Sequence, residues 1–78
     1  MKLIILNLPR EFDEQELEKL FETHGNVTAC NLVRDGESGA SKGFGFVEME
    51  LEEEATVAIE ILHGTKVDQR KIRVKPAN

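Results

Sequence analysis

The chain has 78 residues, of which 40% are hydrophobic and 32% are charged, and this suits one globular domain over residues 1–78. Its formal net charge of −5 at pH 7 argues against a general nucleic-acid binder, because contacts to phosphate usually need a basic protein. The single cysteine, Cys30, excludes an internal disulfide bond and a zinc site built from several cysteines.

The amino-terminal segment lacks the features of a leader sequence. Its apolar core is short and runs into Asn7-Leu8-Pro9 instead of a cleavage site of small residues. No other apolar run approaches the length of a transmembrane helix. We therefore expect an intracellular, cytoplasmic protein with no signal peptide, no transmembrane segment and no membrane partner.

The first half of the chain predicts a strand, a helix and a second strand. Residues 3–8 are rich in leucine and isoleucine and lead into Pro9, which indicates a buried strand and then a turn. Apolar residues recur at helical spacing over 12–24, where Asp13 and Glu16 have the spacing of a capping box. Residues 27–33 alternate loosely and predict the second strand.

The second half predicts a loop, a strand, a helix and a last strand. Residues 35–41 form a polar loop with two glycines, and residues 44–49 form the third strand. Residues 52–63 have helical spacing and end before Gly64. Residues 71–75 alternate as a last strand, with Ile72 and Val74 facing inward.

The element order βαββαβ predicts an α+β, ferredoxin-like sandwich. In this fold a four-stranded antiparallel sheet carries two helices on one face, and its other face is open. Phe44 and Phe46 lie two residues apart on the third strand and so share a face, while Val47 and Met49 share the opposite face. Alternating phenylalanines are commonly core residues, but a chain this small cannot bury both faces of its sheet. We therefore expect the two rings on the open face.

Two segments carry a resemblance to the RNA recognition motif family, in particular to its short single-domain members. Residues 42–49, KGFGFVEM, match the longer family motif except at the last position, where Met49 replaces a core-facing aromatic residue. Residues 3–8, LIILNL, match the shorter motif, but Ile4 stands where the family has a base-stacking aromatic residue. The resemblance extends over essentially the whole chain.

The resemblance implies that the domain binds single-stranded RNA on its sheet. Phe44 and Phe46 would contact bases and sugars, and Lys42 would pair with a backbone phosphate. Ile4 would offer an apolar contact without stacking, so we expect weak binding. Strand parity and the position of the 35–41 loop add further polar and basic residues. The predicted RNA-binding residues are Lys2, Ile4, Asn31, Arg34, Lys42, Phe44, Phe46, Lys71, Arg73 and Lys75.

The sequence is also compatible with other functions. Single-stranded DNA is a second candidate ligand, and the acidic charge and Ile4 also favour a protein-interaction module that uses an apolar patch on the sheet. An enzyme is not expected, because the sequence has no glycine-rich phosphate loop before a helix and no nucleophile–base pair. We expect a monomer with no cofactor, no metal ligands and no catalytic residues.

Overall fold

A computed structural model describes residues 1–77, so the last residue of the predicted domain, Asn78, lies outside the described residues. The expected ferredoxin-like arrangement is confirmed, with a four-stranded antiparallel sheet and two helices against one face. The elements are β1 (Lys2–Leu6), α1 (Glu14–Glu22), β2 (Val27–Arg34), β3 (Ser41–Met49), α2 (Glu52–Leu62), β4 (Lys66–Val67), β5 (Arg70–Lys71) and β6 (Arg73–Pro76). The order of strands in the main sheet is β2-β3-β1-β6. Within residues 1–77, neither helix is long and apolar enough to cross a membrane.

Helix α1 begins at a capping box. The Asp13 carboxylate accepts a hydrogen bond of 2.8 Å from the Glu16 amide, and the Glu16 carboxylate accepts one of 3.4 Å from the Asp13 amide. These two bonds satisfy backbone donors that the first turn of a helix leaves free. Leu17 and Phe21 are fully buried one helical turn apart. The helix therefore packs on the sheet along a single apolar stripe.

Helix α2 depends on its buried face more than on its cap. Leu51 occupies the N-cap position without a side-chain hydrogen bond, although three glutamates in the first turn suit the helix dipole. Ala55 and Ala58 are fully buried, and Leu62 is 5% exposed. Small side chains at these positions let the helix backbone approach the sheet closely.

Strand parity divides the sheet into a core face and an open face. Leu3 and Ile5 of β1, Val47 of β3 and Val74 of β6 are at most 1% exposed and pack against the helices. Met49 is also buried, so its predicted role as a core residue is confirmed. The face turned away from the helices, called the open face below, carries the alternate residues of the same strands.

The prediction of one continuous last strand over residues 71–75 is wrong. Lys71 belongs to β5 and pairs with Lys66 of β4 in a separate hairpin, and β6 begins only at Arg73. Asp68 and Gln69, the two turn residues, both have positive φ angles, 47° and 72°. Two consecutive residues of that kind form the tight turn that suits a two-residue hairpin loop.

Candidate nucleic-acid interface

Two phenylalanine rings mark the open face. Phe44 and Phe46 are half-buried, and neither belongs to the cluster of buried residues that forms the core. Their ring centroids lie 6.3 Å apart, and the planes meet at 80° in an edge-to-face arrangement. A flat ligand can therefore stack parallel to only one ring at a time, while the edge of the other ring borders it.

The strand register places four of the predicted residues in one row across the sheet. Phe46 is opposite Asn31 of β2 on one side and opposite Ile4 of β1 on the other. Ile4 is in turn opposite Lys75 of β6. The row thus consists of a polar, an aromatic, an aliphatic and a cationic side chain, one from each strand of the sheet. Arg73 lies beside this row, opposite Leu6.

Lys2 lies directly over one of the rings. Its Nζ atom is 4.8 Å from the centroid of the Phe46 ring, within the range of a cation–π contact. At an exposed site this contact contributes roughly 0.5–1 kcal/mol, whereas stacking of a nucleobase on an aromatic ring contributes roughly 1–3 kcal/mol. Stacking of a base on this ring would thus outweigh the contact with the ammonium group.

A cavity of about 450 Å³ adjoins the ring of Phe44. Lys42 and Arg73, both among the predicted residues, line it together with Phe44. Arg10 and Arg70 also line it, and sequence reasoning missed both. We call this cavity the basic cleft, and its lining residues are Leu6, Asn7, Leu8, Arg10, Lys42, Gly43, Phe44, Arg70 and Arg73.

A signal for Arg10 was present in the sequence. Strand β1 ends four residues before Arg10, and β3 runs antiparallel to β1. The residues that follow β1 therefore lie beside the start of β3, where Lys42 is. The backbone confirms this neighbourhood, because the Leu8 amide donates a hydrogen bond of 2.8 Å to the Gly43 carbonyl. No comparable signal existed for Arg70, since its position depends on the hairpin.

Asn7 fixes the hairpin beside the basic cleft. Its φ angle is 63°, a left-handed conformation that asparagine tolerates better than most residues. Its Nδ2 atom donates a hydrogen bond of 2.8 Å to the carbonyl oxygen of Lys71. The backbone of Lys71 therefore contacts Asn7. Its exposed side chain lies on the hairpin and not on the last strand of the main sheet, where it was expected.

Arg34, another predicted residue, is the last residue of β2, at the start of the loop that connects β2 to β3. The Arg34 guanidinium donates a hydrogen bond of 3.2 Å to the carbonyl oxygen of Gly39 in that loop. The Asp35 carboxylate accepts bonds from the amides of Ser38 and Glu37, and these two bonds lower the pKa of Asp35. An ionised Asp35 thus keeps the loop folded, and Arg34 stays at its mouth.

Comparison with known proteins decides the family. The family model described as RNA recognition motif matches residues 3–73, which is most of the chain. This chain belongs to the RNA recognition motif family. Its departure from the family pattern at Ile4 lies in the row described above, beside Phe46.

Several curated relatives of this RNA recognition motif protein are plant ribonucleoproteins. The RNA-binding protein CP31B, chloroplastic, of Arabidopsis thaliana is 43% identical over 76 residues, which cover 97% of this chain and 26% of the relative. The 28 kDa ribonucleoprotein, chloroplastic, of Spinacia oleracea is also 43% identical over 76 residues, or 33% of its length. The chain thus spans a quarter to a third of these relatives. Because both are named chloroplastic, the cytoplasmic location expected for this chain stays a prediction.

Solved structures of similar RNA recognition motif proteins agree with the fold. The crystal structure of RNA-binding protein PG1 superposes with a TM-score of 0.96 at 42% identity, covering 99% of this chain and 93% of that one. RNA recognition domains 1 and 2 of Sex-lethal from Drosophila melanogaster give a TM-score of 0.94 at 32% identity, covering 99% of this chain and 49% of that one. A complex of the Sex-lethal protein with RNA matches equally well, with a TM-score of 0.94.

The one thiol of this RNA recognition motif protein is held in its protonated form. Burial, and to a smaller extent the carboxylates of Glu14 and Glu18, raises the pKa of Cys30 to about 11. A thiol with this pKa is protonated at neutral pH, whereas the thiolate is the nucleophilic form. Within residues 1–77, no group of three or more His, Cys, Asp or Glu side chains is close enough together to hold a metal ion.

Proposed function

We propose that this protein binds single-stranded RNA on the open face of its sheet. The observation that carries the proposal is the pair of uncovered rings, Phe44 and Phe46, with Lys2 and the basic cleft on either side. Membership of the RNA recognition motif family and the similarity to a Sex-lethal protein–RNA complex support it. The absence of catalysis, a cofactor or a metal is part of the same proposal.

The geometry supports a binding mode with one well-stacked base. Because the two ring planes are nearly perpendicular, one ring stacks a base and the other meets that base or its sugar with an edge. Stacking of a base on an aromatic side chain contributes roughly 1–3 kcal/mol and is tolerant of sequence, since every base has a flat apolar face. The platform therefore favours unpaired nucleotides over a duplex, whose bases are already stacked.

The net charge of −5 does not prevent this binding, because the charges are separated in space. Most carboxylates lie on the two helices, including the first turns of both. Basic side chains border the open face, and Glu48 is the acid that lies opposite Lys2 in the strand register. If the face neutralises about three phosphates, the logarithm of the affinity falls with the logarithm of salt concentration with a slope of about −2.

An NMR titration with a mixed pool of short single-stranded RNAs tests the proposal. We expect the amide signals of Asn31, Phe44, Phe46 and Arg73 to shift at low salt, while those on the outer face of α2 stay in place. Shifts confined to the helices, or no shifts at low salt, would rule out RNA binding by the open face. A parallel titration with DNA of the same sequences measures binding of single-stranded DNA, which we propose as a second ligand of the same face.

Replacing Ile4 with tyrosine is expected to strengthen RNA binding. Ile4 is half-buried on the open face, directly opposite Phe46, so a ring at this position adds a second stacking surface. One additional stacked base at the lower end of the usual range corresponds to an affinity gain of about five-fold. Fluorescence anisotropy with one labelled RNA measures the gain, and Ile4→Val provides the control without a ring. An Ile4→Tyr affinity equal to that of Ile4→Val would show that β1 does not contact the RNA.

A protein-interaction module of the same fold is the second candidate. The half-buried Ile4 and Leu6 lie on the same face as the two rings and extend the apolar surface across β1. A peptide that occupied this patch would compete with RNA for the same residues. If a peptide ligand shifted the open-face amides and RNA did not, the interaction module would replace the RNA-binding proposal. In both cases we propose that the protein acts as a monomer.

A further inference from the structure

We propose that the basic cleft binds a terminal phosphate group, so that the domain prefers RNA with a phosphorylated end over RNA with hydroxyl ends. This inference rests on the proposed binding of RNA by the open face and adds a site next to the rings. Its ligand is a phosphomonoester, either at the end of an RNA strand or on a free nucleotide.

The basic cleft collects cations from four separate segments of the fold. Arg10 follows β1, Lys42 lies in β3, Arg70 in β5 and Arg73 in β6. None of the nine described residues that line the cleft is acidic, although the chain as a whole has 15 acidic and 10 basic residues. A concentration of one sign of charge in a concave site focuses the electrostatic potential on a small anion.

The cleft has the size of a site for one nucleotide. Its volume of about 450 Å³ falls within the range of roughly 300–1,000 Å³ that is usual for small-molecule sites. The ring of Phe44 forms one wall, and this ring also belongs to the stacking platform. A nucleotide on the platform can therefore extend its phosphate into the cleft without leaving the ring.

Two of the four cations lie beside backbone features that the stacking platform does not need. Gly43 has a φ angle of 84°, and a Cβ atom at this position would lie 4.0 Å from the Nε atom of Arg10, an ordinary van der Waals distance. The Arg10 side chain thus lies beside the backbone of Gly43. Arg70 directly follows the two left-handed residues of the hairpin turn, and Asn7 ties that hairpin to the end of β1. Both arginines line the cleft.

The number of cations exceeds what an internal phosphate needs. A phosphodiester inside an RNA strand carries one negative charge, whereas a phosphomonoester carries about 1.5 to 2 at neutral pH and has three free oxygens. Arginine binds such oxygens through two parallel hydrogen bonds, so two arginines and a lysine can satisfy all three oxygens of a terminal phosphate. The cleft therefore matches the end of a strand better than its middle.

Three RNAs of one sequence test the proposal, with a 5′-phosphate, a 3′-phosphate or hydroxyl groups at both ends. We expect one phosphorylated form to bind about ten-fold more tightly than the hydroxyl form in fluorescence anisotropy at about 0.1 M salt. The tighter of the two phosphorylated forms identifies which end enters the cleft. The readout is the ratio of dissociation constants, and a variant that lacks a cation outside the cleft shows how far a general loss of positive charge changes this ratio.

Variants assign the preference to the cleft. In Arg10→Gln and in Arg70→Gln the ratio is expected to fall toward one, whereas Lys66→Gln, which removes an exposed cation of the same hairpin from outside the cleft, keeps it. Asn7→Gly keeps the freedom to adopt a positive φ angle but removes the hydrogen bond to Lys71, so a reduced ratio is expected there as well. A ratio that survives both arginine variants would overturn the assignment to the cleft.

The possible outcomes separate this inference from the function on which it rests. Equal affinities for all three RNAs would overturn the terminal-phosphate site and leave the RNA-binding proposal intact. If none of the RNAs binds, the RNA-binding proposal fails, and titration with a nucleoside 5′-monophosphate against the matching nucleoside decides the site. Shifts of the Gly43 and Arg10 amides with the monophosphate alone would then support the site, and their absence would overturn it.

Discussion

Replacing Phe46 with alanine is expected to weaken RNA binding about ten-fold or more while the domain stays folded. The ring is half-buried on the open face and lies outside the buried core, so its removal costs little packing. Loss of one base-stacking ring corresponds to roughly 1–3 kcal/mol of binding free energy. Phe46 also lies between Asn31 and Ile4 in the row that crosses all four strands, so removal of its ring leaves a gap in that row. Fluorescence anisotropy measures the loss, and thermal unfolding checks the fold.

Ile61→Ala is the matched control for this substitution. Ile61 is an apolar residue on α2 that is 49% exposed, on the side of the domain away from the open face. The Ile61→Ala substitution removes apolar surface of a similar kind outside the proposed interface, so RNA affinity is expected to stay the same. If Phe46→Ala instead caused cooperative unfolding at a much lower temperature, the ring would be a core residue. If both variants bound RNA as well as the parent protein, RNA would not bind on this face.

The order of elements and the two faces of the sheet could be predicted because both depend on local signals. Apolar residues at alternate positions place Val47 and Met49 on one face and the two phenylalanines on the other, whatever the neighbouring strands do. The capping box of Asp13 and Glu16 acts within four residues and is present as expected. These local patterns predict the structure correctly because the tertiary contacts favour the same arrangement.

The hairpin of β4 and β5 could not be predicted, because its turn lacks the usual local signal. Tight hairpin turns of this kind commonly contain an Asn-Gly or Asp-Gly pair, whereas this one contains Asp68 and Gln69. A long-range hydrogen bond from Asn7 to the Lys71 carbonyl holds the hairpin against β1. Sequence reasoning therefore extended the last strand through Lys71 and did not include Arg70, which lies at the basic cleft, among the predicted RNA-binding residues.

The mutual arrangement of the side chains on the open face also could not be predicted from the sequence. Alternation on one strand places both rings on one face but says nothing about the angle between their planes, which packing determines. The contact between Lys2 and Phe46 joins two strands that are far apart in the chain. The sequence thus predicted which residues share the face, and the structure adds that the ammonium group of Lys2 lies over the Phe46 ring.

Gly45, between the two rings, shows why the platform strand needs a residue without a side chain at that position. A Cβ atom on Gly45 would lie 2.7 Å from the carbonyl oxygen of Asn31 and 3.1 Å from the Cδ2 atom of Leu17. The first of these neighbours is backbone of β2, which cannot move without disturbing its pairing with β3. The glycine therefore lets α1 pack directly behind the rings and lets β2 lie close beside β3.

Gly45→Ala is expected to lower the free energy of unfolding by about 1–3 kcal/mol, the usual cost of forcing an extra methyl group into a packed interior. Gly36→Ala is the matched control, because a Cβ atom at Gly36 would meet no heavy atom within 4 Å. This control is expected to change stability by no more than about 0.5 kcal/mol, as exposed substitutions usually do. Urea denaturation followed by circular dichroism measures both variants.

The folded fraction of Gly45→Ala is also expected to bind RNA more weakly. The added methyl group pushes β3 away from β2, and both rings of the platform move with β3 because Gly45 lies between them in the chain. Stacking depends on ring position, so a shift of a few tenths of an ångström at the backbone misplaces the bases against the cations beside them. A Gly45→Ala protein as stable as Gly36→Ala would mean that β2 and α1 yield to the methyl group, and its RNA affinity would then match that of the parent.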